Sequence, residues 1–292
     1  MKLFITGATG FIGKYLVKKL LEDGCKITIN LREGKESPFD KNANTYNLGK
    51  ESIDTDIQFL KNEIFDGIIH LASLYITTHK PEDVNNLIDS NVKFGSYILE
   101  CAAQAKVNWF INTGTFWQHY QNAEYSPVNL YAATKQAFEC IAKYYIETNQ
   151  IKFYTISLSD TYGPNDTRPK IFNLWDKVAK TGEKLDMSPG EQIIDITYIN
   201  DVVNAFALLA KQLQNNNTDI INGAVFAVRA DKRYTLKELA SIFEETRDLK
   251  LNIDWGARPY RDREVMEPWS KGECVPAWKP RIEVKEGISK LI

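Results

Sequence analysis

The chain has 292 residues, 43% of them apolar, with 36 Lys and Arg against 38 Asp and Glu and a net charge of −2. That apolar content supplies the core of one large α/β domain with a smaller lobe and excludes a disordered chain. The basic residues are dispersed without a stripe, which excludes nucleic acid and an anionic membrane surface as partners, and three His and four Cys without ligand spacing exclude a metal centre.

In chain order, Lys2 to Thr6 carries Leu3, Phe4 and Ile5, a short apolar run suited to a strand buried on both faces, and it ends directly at Gly7. From Phe11 onward Ile12, Tyr15, Leu16, Leu20 and Leu21 follow helical spacing, so Gly7-Ala8-Thr9-Gly10-Phe11-Ile12-Gly13 is a strand-to-helix turn. Glycines in that context allow a tight turn and close backbone approach, and the helix start offers unpaired N–H groups to a diphosphate. The N-terminus thus reads as a strand of the fold rather than a signal peptide. No apolar stretch approaches the ~18 residues of a membrane span. The expected location is the cytoplasm, where Cys25, Cys101, Cys140 and Cys274 stay reduced.

Further strands are predicted at Lys26 to Leu31, Asp66 to Ala72, Trp109 to Asn112 and Phe153 to Leu158, with helices at Val84 to Gln104 and Tyr131 to Thr148 between them. Alternating strands and helices specify an α/β fold, a doubly wound parallel sheet of the Rossmann type. Residues that follow the strands then face the ligand. After the second strand, Asn30-Leu31-Arg32 lacks the carboxylate that would accept from a free ribose 2′-hydroxyl, and the guanidinium of Arg32 suits a 2′-phosphate. This favours NADP(H) as cofactor, with NAD(H) as the alternative.

Tyr131 and Lys135 are four apart on one helix and so share a face. An ammonium near a phenol stabilises the phenolate and lowers its pKa, which lets the tyrosine trade a proton with a hydroxyl or carbonyl. His70, on an apolar strand, reads as a core histidine with a cofactor-neighbour role at most, and His119 as an exposed loop histidine, with an auxiliary acid as the alternative.

The G-x-x-G-x-x-G spacing followed by Tyr131-Ala132-Ala133-Thr134-Lys135 resembles the short-chain dehydrogenase/reductase superfamily. The wording Gly-Ala-Thr-Gly-Phe-Ile-Gly is similar to its extended, nucleotide-sugar-modifying branch, the NAD-dependent epimerases and dehydratases. The resemblance spans nearly the whole chain. It implies a cofactor site of Gly7, Thr9, Gly10, Phe11, Ile12, Gly13, Arg32, Leu71, Ala72, Ser73, Asn91, Thr113, Tyr131 and Lys135. Asn91, from the helix motif Asn-x-x-x-Gly with Gly95, is expected to brace the strand behind the catalytic threonine. By the same resemblance Tyr131 is the acid/base, Lys135 holds the nicotinamide ribose and tunes Tyr131, and Thr115 polarises the reacting C–O group, with Thr113 as the fallback.

For the sugar the resemblance implies Thr115, Trp117, Asp160 and Arg261, with Arg263 close enough in sequence to assist Arg261. Three positions depart from the family pattern: Ser157 and Ile194 stand where arginine is usual, and Asp160 where asparagine is usual. Relatives that dehydrate the sugar carry an Asp-Glu pair directly after the threonine, since elimination needs a second acid and base. Here Phe116 and Trp117 follow instead. The expected arrangement is a Rossmann domain over 1–163, with 193–228 returning to it, and a smaller C-terminal substrate lobe from 164–192 and 229–292. The motifs look most like those of reductases acting on CDP-linked 4-keto-3,6-dideoxyhexoses in surface-polysaccharide (O-antigen) synthesis. A nucleotide-sugar 4-epimerase and a non-catalytic dinucleotide sensor are the alternatives, and a homodimer through the helices at 84–104 and 131–148 is a family expectation.

Overall fold

The computed structural model describes residues 1–32, 34–215 and 219–291. Its centre is a parallel sheet of β1 (Lys2–Thr6), β2 (Lys26–Asn30), β3 (Asn44–Tyr46), β4 (Gly67–His70), β5 (Trp109–Thr115), β6 (Lys152–Leu158) and β11 (Val225–Val228), in the spatial order β11-β6-β5-β4-β1-β2-β3. The order reverses between β1 and β4, and the register aligns Thr6 with His70 and His70 with Asn112, so these strands end at one edge. That edge, at the switch point, is where a doubly wound sheet binds its ligand. The strands read as continuous apolar runs because helices cover both faces: Leu3, Ile5, Ile69 and Ile111 face one core, and Phe4, Ile68, Phe110 and Phe153 the other.

Helix α1 (Phe11–Glu22) packs with α7 (Ile199–Gln214) on the first face, and α2 (Ile53–Glu63), α4 (Phe94–Gln104) and α5 (Leu130–Glu147) cover the second. Ser52 caps α2 by accepting from Thr55 N–H at 3.2 Å, and Asn129 caps α5 by accepting from Ala132 N–H at 3.0 Å, each worth about 1 kcal/mol. The Asn129 amide also donates to the carbonyl of Thr77 at 2.9 Å, which fixes the start of α5 to the segment after β4. At Gly95 an added Cβ would lie 3.0 Å from the Phe138 ring, so glycine sets the close approach of α4 to α5.

The single helix expected from Val84 to Gln104 is instead α3 (Asp83–Ile88), a π-helical turn at Asp89–Lys93 and then α4. The widened turn contains Asn91, whose side chain is fully engaged by neighbouring groups. The remaining elements are β7 (Asp160–Tyr162), α6 (Ile171–Thr181), β8 (Leu185–Met187), β9 (Ile193–Ile194), β10 (Ile196–Tyr198), β12 (Tyr234–Thr235), α8 (Leu236–Arg247), β13 (Ile253–Trp255) and α9 (Val284–Ser289), with the short strands paired β10 with β7, β12 with β9 and β13 with β8. Asp201, buried in the first turn of α7, accepts from the backbone of Arg281 and Ile282 at 2.9 Å each and ties the C-terminal segment to α7. No helix of the described residues is long and apolar enough to cross a membrane.

Candidate active site

Gly7 has φ +69°, and a Cβ there would lie 2.6 Å from the amide nitrogen of Ala72. Only glycine lets this turn press against the strand end beside it. Gly13 is likewise pressed against the Gly7 carbonyl and Ala8, while Gly10 donates its N–H to the Gly7 carbonyl at 3.0 Å and begins α1 without a side-chain cap. The first N–H groups of α1 are left for an anion, and these residues fit the diphosphate of a dinucleotide. A cleft of about 310 Å³ opens from this turn, lined by Gly7, Gly10, Phe11, Ile12 and Gly13.

The same cleft takes in Leu71, Ser73, Thr113, Thr115, Trp117, Tyr131, Asp160 and Arg261. Thr115 and Thr113 differ in use. Thr113 donates its hydroxyl to the His70 carbonyl at 3.0 Å, whereas the Thr115 oxygen accepts from Trp117 N–H at 3.3 Å and keeps its own proton for the cleft. Thr115 is therefore the threonine able to donate to a ligand oxygen.

Five expected site residues do not line the cleft: Thr9, Arg32, Ala72, Asn91 and Lys135. Thr9 and Arg32 are exposed, and Arg32 makes no ion pair with another described residue. Ala72 shapes the glycine turn through its backbone. Asn91 is buried, but it does not brace the strand behind Thr115. It accepts from Leu74 N–H at 2.7 Å, donates to the Leu74 carbonyl at 3.0 Å and reaches Thr134 on α5 at 3.0 Å. Its place in the π-helical turn puts it opposite the segment after β4.

Tyr131 also departs from expectation. Burial pushes its phenol up, to about 12, with the neighbouring Tyr75 adding to this; Lys170, the Ser73 hydroxyl and Arg168 pull it back. Lys135, buried and not lining the cleft, is not among the groups that bear most on the phenol. At neutral pH Tyr131 is thus a protonated phenol facing the cleft, suited to donating a proton to an oxygen that gains an electron pair.

The far wall was not anticipated. Lys170 pairs with Asp160 at 2.8 Å and lies 4.8 Å above the ring of Tyr75, which meets Tyr131 edge-on at 5.1 Å. Burial alone would lower the lysine, and Asp160 more than reverses this, holding it above its ordinary value. Arg168 pairs with Asp166 at 2.7 Å, donates to the Thr161 carbonyl at 2.9 Å and stacks 4.4 Å over Phe11, beside the glycine turn. Arg261 is held by Glu264 at 2.9 Å, 6.0 Å from the Trp117 ring. Arg263 instead leaves the cleft for Ser126, at 2.7 Å, and the Tyr120 ring. The signal for Lys170 was Asp160 itself, an unexpected acid that needed a base within reach.

Ile194, in the place of an arginine, lines the cleft beside Asp195, which is buried and held by Arg233 at 2.7 Å and Ala230 N–H at 2.9 Å. His70 is a core histidine, bonded to Thr6 at 2.8 Å and pushed down to about 3 by burial. His119 is not an exposed loop residue: it stacks on Trp269 at 4.0 Å, and its Nδ1 donates to the Glu124 carbonyl at 2.7 Å.

Residues 3–223 match the model of the NAD dependent epimerase/dehydratase family. The chain is similar to CDP-abequose synthase of Salmonella typhimurium, 27% identical over 99% of this chain and 97% of that protein, and to a putative UDP-glucose 4-epimerase of Methanocaldococcus jannaschii, 25% identical over 99% and 97%. Among solved structures, UDP-glucose 4-epimerase of Stenotrophomonas maltophila with bound NAD and formylated UDP-arabinopyranose superposes with a TM-score of 0.84 at 17% identity, covering 99% of this chain and 96% of that one. The match begins at the first strand and runs through the glycine turn, Thr115 and the Tyr131 helix, so the chain belongs to the NAD dependent epimerase/dehydratase family of extended short-chain dehydrogenase/reductases and is a nucleotide-sugar-modifying oxidoreductase of that type.

Proposed function

We propose that the protein reduces the 4-keto group of a nucleotide-linked deoxyhexose, of the CDP-4-keto-3,6-dideoxyhexose kind, with NADPH. The observation that carries this reading is the convergence of Tyr131 and Thr115 on the cleft into which the glycine turn opens. A reduced dinucleotide held by the glycine turn would supply the hydride for the sugar carbon. Thr115 donates a hydrogen bond to the carbonyl oxygen, and Tyr131, kept protonated by burial, passes its proton to that oxygen as it gains charge. The Tyr75 and Trp117 rings, 5.7 Å apart, form an apolar wall for the deoxygenated face of the sugar. Phe116 and Trp117 after Thr115 provide no acid and base for 4,6-dehydration. The similarity to CDP-abequose synthase along nearly the whole chain supports the same reading.

Arg32 at the end of β2 supports NADPH over NADH, and Arg261 and Arg168 are the donors for the two diphosphates. A homodimer through α4 and α5 fits the exposed Ile141 and Tyr144 on α5. The test is loss of reduced-nicotinamide absorbance from NADPH and, in parallel, NADH, with 4-keto-6-deoxy and 4-keto-3,6-dideoxy sugars linked to CDP, UDP, GDP or dTDP. Consumption with one of them, abolished by Tyr131→Phe, supports the reductase. No consumption, together with NAD that co-purifies with the protein, points to a 4-epimerase.

A further inference from the structure

One face of α5 carries Tyr131, Lys135 and Glu139 in successive turns, and Glu139 has no part in the chemistry above. It is enclosed by three groups. Asn112 on β5 donates to its Oε1 at 3.3 Å, and Gln118, in the turn after β5, donates to its Oε2 at 3.0 Å. The Gly114 backbone closes the remaining side: a Cβ there would lie 3.1 Å from Glu139 Oε1 and 2.6 Å from Ser157 Oγ. Gln118 is 1% exposed, and its Oε1 accepts from the Thr115 N–H at 2.9 Å. With the carbonyl end set by Thr115, the amide end must find acceptors, which are Glu139 and Gln136 Oε1 at 2.8 Å. A chain of oriented hydrogen bonds therefore runs from Thr115 to the Glu139 carboxylate.

Lys135 is 1% exposed and has no described group within hydrogen-bond or ion-pair contact; Glu139, four residues on along the same face of α5, is the acid nearest to it on that helix and acts on it without direct contact. A buried ammonium without a counter-charge sheds its proton. Burial lowers Lys135 and Glu139 pulls it back up; burial raises Glu139, and Gln118 and Lys135 pull it back down. The titratable group that bears on Lys135 from another element is His70 on β4, which burial holds neutral. On its own helix the neighbour one turn back is the protonated Tyr131. Strand β6 presents only Thr155 and Ser157 to this region, and the Ser157 hydroxyl has no partner among the described residues. No described cation other than Lys135 acts on Glu139.

We propose that Glu139 is a positioning residue of the reductive site: its carboxylate is the counter-charge that keeps Lys135 an ammonium inside the protein, and through Gln118 it fixes the backbone that presents Thr115 to the cleft. The kinetic part rests on the reductase reading; the charge pairing does not.

Two experiments test it. The first needs neither cofactor nor sugar: thermal unfolding of Lys135→Met, Glu139→Gln and the double variant between about pH 6 and 9. The expected result is a double variant that loses less than the sum of the singles, with the coupling fading towards lower pH as Glu139 takes up a proton. Additive losses at every pH overturn the pairing. The second is steady-state reduction of the keto sugar. Glu139→Gln lowers kcat about tenfold while KM changes less than about twofold, and the basic limb of the kcat profile moves to lower pH because Lys135 loses its proton more readily. Glu139→Asp recovers part of the rate. Gln118→Met, which removes the acceptor of the Thr115 N–H and the donor to Glu139 together, lowers kcat and moves that limb in the same direction by less. Tyr145→Phe, which removes a 2.7 Å bond from the same helix to Glu100, leaves rate and profile unchanged. An unaltered kcat and profile in Glu139→Gln overturns the positioning role. If the wild type reduces no keto sugar, the reductase reading fails while the unfolding cycle still decides the pairing.

Discussion

Lys170 and Asp160 form an ion pair at 2.8 Å on the wall of the cleft, and the lysine is the cation that lowers the Tyr131 phenol most. Removing it as Lys170→Met leaves burial less opposed, so Tyr131 becomes a weaker acid. We expect kcat to fall about five- to tenfold with the basic limb of the pH profile in place, because Lys135 loses its proton well before Tyr131 does. Glu139→Gln, by contrast, moves that limb, and a rate–pH series on both variants reads the difference.

Tyr131→Phe removes the proton donor and keeps the ring against Tyr75. The expected loss in kcat is about 10²- to 10⁴-fold, with NADPH affinity by fluorescence titration within about twofold of wild type. A comparable loss of cofactor binding would assign the ring to holding the nicotinamide instead.

Gly7→Ala forces a side chain into a left-handed backbone and against Ala72. We expect a loss of about 1 to 3 kcal/mol in unfolding free energy and weakened dinucleotide binding, measured by denaturant titration and by the thermal shift on adding NADPH. Wild-type stability in this variant would mean that the turn does not adopt the described conformation.

Arg32→Ala tests the choice of cofactor. On the proposed pairing of its guanidinium with a 2′-phosphate, the variant raises Kd for NADPH about tenfold and leaves NADH unchanged. Equal effects on the two cofactors would remove Arg32 from the ribose site.

His70 gives a stability prediction with a defined sign. Its folded value is depressed to about 3 by burial, so its contribution is present above the ordinary histidine value and is lost as pH falls towards the folded one. His70→Asn, which keeps a polar partner near Thr6, should flatten the decline of Tm between about pH 6 and 4.

What could be read from sequence was local. The glycine turn is set by three residues within one strand-to-helix connection, and Tyr131 and Lys135 share a face because four residues make about one turn of helix. Their environments were not local. Lys135 is one turn from Tyr131, yet the cations that bear most on the phenol are Lys170 and Arg168, which come from the segment after β7. Tyr75 reaches Tyr131 because Asn129 ties the start of α5 to the loop after β4, a contact across 52 positions in the Thr77 bond. The π-helical turn at Asp89–Lys93 leaves the apolar spacing of a helix nearly intact, so periodicity predicts one continuous element. The partners of Asn91 are set by that turn and not by the strand behind Thr115. Strands of two or three residues, such as β3, β9 and β12, are too short to produce a pattern of alternation.

Each base that faces the cleft brings its own acid: Arg168 with Asp166, Lys170 with Asp160 and Arg261 with Glu264. The cleft therefore meets an incoming anion as a set of closed pairs rather than as a pool of positive charge. Under the proposed function a diphosphate would gain its contacts by exchange, a phosphate oxygen taking the place of a carboxylate oxygen on a guanidinium that is already oriented. Long-range attraction contributes little to such an encounter, and selectivity is set at short range by whether the incoming group matches the geometry the carboxylate leaves.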